Sequence, residues 1–144
     1  PEQAAVWAYP QPGFTDDEIA FTMASAMLGR VHLSGRLDLM SPGQLALVAS
    51  AVRVYKEFRA DIARSVPFWP LGLPGWEDPW IALGLRAPEV SYLTVWRRGQ
   101  RQGADGGPPR VTLPVPALRG RAVVARIMYP GVADAEVAWD ARPR

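Results

Sequence analysis

Residues 66–80, VPFWPLGLPGWEDPW, limit the fold more than any other stretch of this chain. Four prolines in fifteen residues, Pro67, Pro70, Pro74 and Pro79, exclude a helix interior. Each one removes a backbone N–H and clashes with the preceding turn. Gly72 and Gly75 add turn freedom. Three of the six tryptophans, Trp69, Trp76 and Trp80, lie here too. With Phe68, Leu71 and Leu73 they make the stretch too apolar for a solvated linker. An ordered, buried connection between two halves of different character is expected, with packing rather than chemistry as its ordinary explanation.

Upstream the chain reads as helix and short strand. Residues 1–14 open as loop or extended chain, because Pro10, Pro12 and Gly13 oppose a helix. Trp7 and Tyr9 beside Glu2 and Gln3 suit a sugar site, where flat ring faces stack and hydroxyls need polar partners. A buried strand end is the plainer explanation. Thr15 to Glu18 form a capping box. The acids Asp16 and Asp17 suit the positive end of the helix dipole. Capping accounts for all three carboxylates, which are not read as an acid–base pair.

Ile19, Met23 and Met27, with Ala20, Ala24 and Leu28, supply the apolar face up to Gly29. Residues 30–34 alternate as a short strand. His32 has no neighbour that would make it a general base; it and Ser34 contact a ligand only if they point into a barrel mouth. Ser41-Pro42-Gly43-Gln44 opens a second helix, whose face is Leu45, Val48, Val52, Tyr55, Phe58 and Ile62. Such a unit cannot cover both faces of its sheet alone, so the front half reads as the end of a larger α/β barrel.

Beyond residue 80 the period changes. Residues 80–86, 90–97, 110–115, 121–129 and, more weakly, 135–139 read as strands, with a polar loop over 99–109. Short strands separated by Gly/Pro turns predict an antiparallel sandwich. The expected class is α+β, divided into residues 1–65 and 66–144.

Composition narrows the function. Apolar residues at 49% and aromatics at 10% are enough for a core. The formal charge of +2 is nearly balanced, and the basic residues form no stripe, so a nucleic-acid partner is not expected. With no cysteine and one histidine, thiolate and histidine-cluster metal sites are not expected either. No run reaches the roughly 18 apolar residues of a membrane span. The opening PEQAAVWAYP lacks the pattern of a signal peptide and begins without Met. A cytoplasmic piece of a longer protein is the expectation.

Several ordered motifs carry a family resemblance. They are Pro1-Glu2-Gln3 with Trp7-Ala8-Tyr9-Pro10, Met27-Leu28-Gly29-Arg30, Leu33-Ser34-Gly35 and Tyr55-Lys56-Glu57-Phe58-Arg59. Pro67-Phe68-Trp69-Pro70-Leu71-Gly72-Leu73-Pro74, Leu83-Gly84-Leu85-Arg86 and Val95-Trp96-Arg97-Arg98 complete the set. Together they resemble the C-terminal end of glycoside hydrolase family 36 α-galactosidases, the melibiases. Pro1-Glu2-Gln3 stands near where the commoner subgroup carries Pro-Asn-His-Gln.

The resemblance implies a (β/α)8 catalytic barrel followed by a β-sandwich. Residues 1–65 would be the last barrel units and residues 66–144 the sandwich. Glu2 and Gln3 would stand at the C-terminal end of the penultimate strand, and residues 30–34 would be the final one. It implies retaining hydrolysis of terminal α-galactosides by two carboxyls about 5 to 5.5 Å apart, without metal or cofactor. In the family both are aspartates on earlier strands, so no catalytic residue is expected here. Barrel active sites lie at the C-terminal ends of strands, which makes Glu2, Gln3, Trp7, His32 and Ser34 the candidate substrate-binding residues. The alternative is a carbohydrate-binding module using Trp96 or Trp139, or a purely structural sandwich. Helix faces cut off from their barrel are expected to be exposed, which would favour a homo-oligomer.

Overall fold

The computed structural model describes residues 3–99, 110–131 and 137–141. Strand β1 (Ala5–Ala8), helix α1 (Asp16–Ala26), strand β2 (Arg30–Leu33) and helix α2 (Pro42–Ile62) follow one another. β1 and β2 pair in parallel, with Ala5 opposite Arg30 and Ala8 opposite Leu33. Parallel neighbours require a crossover, which α1 supplies. Strands β3 (Val66–Phe68), β4 (Trp80–Arg86) and β5 (Ser91–Arg97) form an antiparallel sheet in that order. The chain is α+β. Among the described residues these two sheets are the paired strands, and they make neither a closed barrel nor a two-sheet sandwich.

Both helix starts form as their sequences dictate. The Thr15 N–H donates to Glu18 Oε2 at 2.8 Å, and Glu18 N–H donates to Thr15 Oγ1 at 3.3 Å. At α2, Ser41 N–H donates to Gln44 Oε1 at 2.9 Å and Gln44 N–H to Ser41 Oγ at 3.3 Å. Gln44 also reaches the loop after β1, its Nε2 donating to the carbonyls of Pro12 and Phe14 at 3.1 and 2.9 Å. A capping residue thus doubles as a tether between α2 and that loop.

Contrary to the expectation that they lie exposed, the helices bury most of their apolar faces inside this chain, while Phe21 of α1 and Leu45 of α2 stay exposed. Ile19, Met23, Val48, Ala51, Val54, Phe58 and Ile62 join Ala8 and Leu85 in one cluster. α2 is rotated from the expected stripe: Ala51 and Val54 turn inward, while Leu45 is exposed and Val52 half-buried. The antiparallel sheet supplies the cover. Phe58 stacks on Tyr92 with ring centres 4.6 Å apart, and the Tyr92 hydroxyl donates to Asp61 Oδ2 at 2.7 Å. Trp96 Nε1 donates to Ser25 Oγ of α1 at 3.0 Å. Inside the sheet Phe68 faces Gly84, whose missing Cβ leaves the space that the Phe68 ring fills.

Residues 66–80 depart from expectation. They are ordered, but most of the stretch is exposed: Leu73 is 78% accessible and Trp76 88%. The wall these side chains would have covered is closed by β4 itself, where Ala82 and Leu85 are buried. Polar bonds hold the turn instead. Arg98 Nη2 donates to the carbonyls of Gly75 and Asp78 at 2.9 and 2.7 Å, and Gly75 N–H donates to Asp78 Oδ2 at 2.6 Å.

Residues 110–115 and 121–129 also differ, carrying no strand ladder. Pro114 and Pro116 lack donors, and alternation alone makes no strand without a partner edge. Trp139 Nε1 donates to the Arg121 carbonyl at 2.9 Å and Gly120 N–H to the Ala141 carbonyl at 3.1 Å, which brings these segments side by side. The expected loop over 100–109 and the start of the weak strand at 135–136 lie outside the described residues.

Candidate functional site

Adjacent parallel strands set residues of equal level on the same face. Trp7 is level with His32 in the β1–β2 register. Val6, Ala8 and Val31 pack into the helix-side core, so the alternation of side chains sends Trp7 and His32 to the helix-free face. Their rings stand 5.4 Å apart with 31° between planes. Tyr9, one residue past β1, lies almost parallel to Trp7, at 5.8 Å and 18°. Trp7 is 58% accessible and Tyr9 48%. His32 is half-buried, and its Nε2 is enclosed with no hydrogen-bond partner.

Ser34 follows β2 at the same end, its N–H donating to the Ala8 carbonyl at 2.9 Å. Beside it a Cβ on Gly35 would collide with the Pro10 carbonyl, so glycine lets the two loops touch. Trp7, His32 and Ser34 are therefore brought together, with Tyr9 as a fourth member. Tyr9 had a signal in the sequence, as the second aromatic of the Trp7-Ala8-Tyr9 step.

Gln3 is not among them. It is exposed in the turn before β1. The expectation set the Glu2–Gln3 stretch at the C-terminal end of the strand preceding residues 30–34, yet the strand paired with β2 begins after Gln3. At about 3.3 Å per residue, roughly 16 Å separates Gln3 from the Ala8 end. Glu2 lies outside the described residues.

The carboxylates nearby are occupied. Glu18 accepts from the Thr15 backbone N–H, which holds its carboxyl below the usual range. Asp38 accepts both arms of Arg36, at 3.0 and 2.9 Å, and that pairing likewise keeps it ionised. Among the described residues no group of three or more His, Cys, Asp or Glu could hold a metal ion. What remains is an open aromatic floor with an imidazole and a hydroxyl at its edge. Such a floor can stack against a flat apolar ring.

Trp96 and Trp139 offer no such floor. Both are half-buried, and their indole N–H groups are committed to Ser25 Oγ and the Arg121 carbonyl. Among the described residues no helix is long and apolar enough to cross a membrane. Comparison with known protein families, curated proteins and solved structures finds no match to this chain.

Proposed function

We propose that the chain is the C-terminal part of an α-galactosidase-like retaining glycoside hydrolase of the cytoplasm. In this reading it contributes a wall of the sugar pocket, while the two catalytic aspartates come from upstream. The carrying observation is the β1-α1-β2-α2 order with parallel strands, which sets Trp7, His32, Tyr9 and Ser34 at one end of a helix-free sheet face. A (β/α)8 barrel repeats this unit, with its interior on the helix-free side and its active site at the strand C-termini.

A further observation favours a continuing barrel. Beside β2, a groove of about 560 Å³ is lined by Leu33, Leu37, Leu45, Val48 and Val52, with Arg53 and Lys56 at its edge. α2 would cover a neighbouring strand there. In the same reading the antiparallel sheet and the segments after it brace the barrel.

The test is hydrolysis of p-nitrophenyl α-galactoside by the 144-residue chain and by the longer polypeptide that continues it upstream. Turnover is expected in the longer protein alone. Trp7→Ala in that protein should raise KM about three- to ten-fold with kcat retained, as for loss of ground-state stacking. Turnover by the 144-residue chain overturns the placing of both catalytic aspartates upstream, and no turnover by the longer protein across α-glycosides overturns the hydrolase reading. In the second case, binding of methyl α-galactoside that is lost in Trp7→Ala would instead favour a carbohydrate-binding module.

A further inference from the structure

We infer that the proline- and tryptophan-rich loop between β3 and β4 is a self-association surface, through which two copies of this chain exchange Trp76. This rests on the loop alone and not on the proposed activity. Trp76 and Leu73 are almost fully exposed, and Trp69 and Leu71 are partly so. Such a cluster on an ordered segment calls for a partner. Order here is specific: the Arg98 guanidinium holds the Gly75 and Asp78 carbonyls, and Arg98 N–H donates to the Pro79 carbonyl at 2.7 Å. A tethered turn presents Trp76 in a defined direction and loses little freedom when it docks.

A receptor of fitting size lies on the same loop. A cavity of about 240 Å³, with room for one indole, is lined by Leu71, Pro74, Asp78, Pro79 and Trp80, and Val111 of the following segment closes one side. Knob and hole adjoin one another, so a two-fold axis through the loop sets each Trp76 over the partner's hole. Reciprocal contacts of this kind are what a closed two-fold dimer needs. Burying the exposed Trp and Leu side chains removes on the order of 500 Å² per copy, reaching the roughly 1,000 Å² of a small specific interface.

Sedimentation equilibrium of the 144-residue chain tests this. Wild type is expected to dimerise. Trp76→Ala, at a solvent-facing position, should keep the fold by circular dichroism and raise the dimer dissociation constant about thirty-fold or more. Leu71→Arg, which blocks the hole, should do the same. Mixed together, the two variants should recover a heterodimer, because an intact Trp76 then meets an intact hole. A monomeric wild type overturns the inference. So does a dimer that survives both substitutions, or one abolished by Leu45→Glu in the groove beside β2 while Trp76→Ala leaves it intact.

Discussion

Asp61 is where one residue couples the two halves of the chain. Its carboxylate accepts from Tyr92 at 2.7 Å and from Arg64 at 2.6 Å, and its carbonyl accepts from Ser65 Oγ at 2.8 Å. The Tyr92 hydroxyl, and then Arg64, hold its carboxyl below the usual aspartate range. A lowered folded pKa adds stability that is complete above the ordinary value near about 3.9, and that is lost as pH falls through the folded one. Asp61→Asn should therefore lower Tm at neutral pH, and its curve should converge on wild type in acid. A constant offset down to pH 2 would disprove the linkage. At the other extreme, burial first and the Asp61 bond second push Tyr92 up to about 12. Stability from that group is present below the ordinary tyrosine value of about 10 and declines as pH climbs to the folded one. Tyr92→Phe should flatten the alkaline decline in Tm and remove part of the phenolate absorbance rising near pH 12.

At the scale of elements, what is local in sequence is also local in structure. Gln44 shows both the reach and the limit of that rule. Its place three residues after Ser41 announces a capping box, which forms. Nothing in the sequence announces that its amide also holds the carbonyls of Pro12 and Phe14, some thirty residues away. Gln44→Ala should cost about 1–2 kcal/mol, a Tm loss of about 3–8 °C. Gln44→Glu keeps the acceptor for Ser41 N–H but loses both long-range donors. It should fall between wild type and alanine; a loss equal to alanine's would assign the whole effect to the tether.

The same division explains the rest of the reading. Caps, the strand over residues 30–33 and the β4–β5 hairpin follow from neighbours in sequence. Which side of α2 turns inward does not, because Leu85 and Tyr92 choose it from the far half. Residues 121–129 have the pattern of a strand but no described edge to pair with. Trp7, His32 and Ser34 were grouped through the family resemblance, and they stand at one end of the β1–β2 face. Gln3 was misplaced because the strand start, four residues past Pro1, has no marker of its own.

For the whole molecule the question is whether residues 1–65 and 66–144 unfold separately. Leu85 of β4 is 1% accessible and sits in one cluster with Ile19, Met23, Val54 and Phe58 of the helices. Hydrogen bonds from Tyr92 to Asp61 and from Trp96 to Ser25 cross the same junction. A core contributed from both sides gives neither half a complete apolar interior, so a cavity opened on one side should be felt by the other. Leu85→Ala should cost about 2–5 kcal/mol. It should shift the helical far-ultraviolet transition and the near-ultraviolet tyrosine–tryptophan transition by the same amount, as a single cooperative unit does. Ile19→Ala, made in α1, should move both probes together as well. If Leu85→Ala displaces the aromatic signal and leaves the helical one in place, the halves are independent, and the shared cluster is a contact surface between two domains rather than their common core.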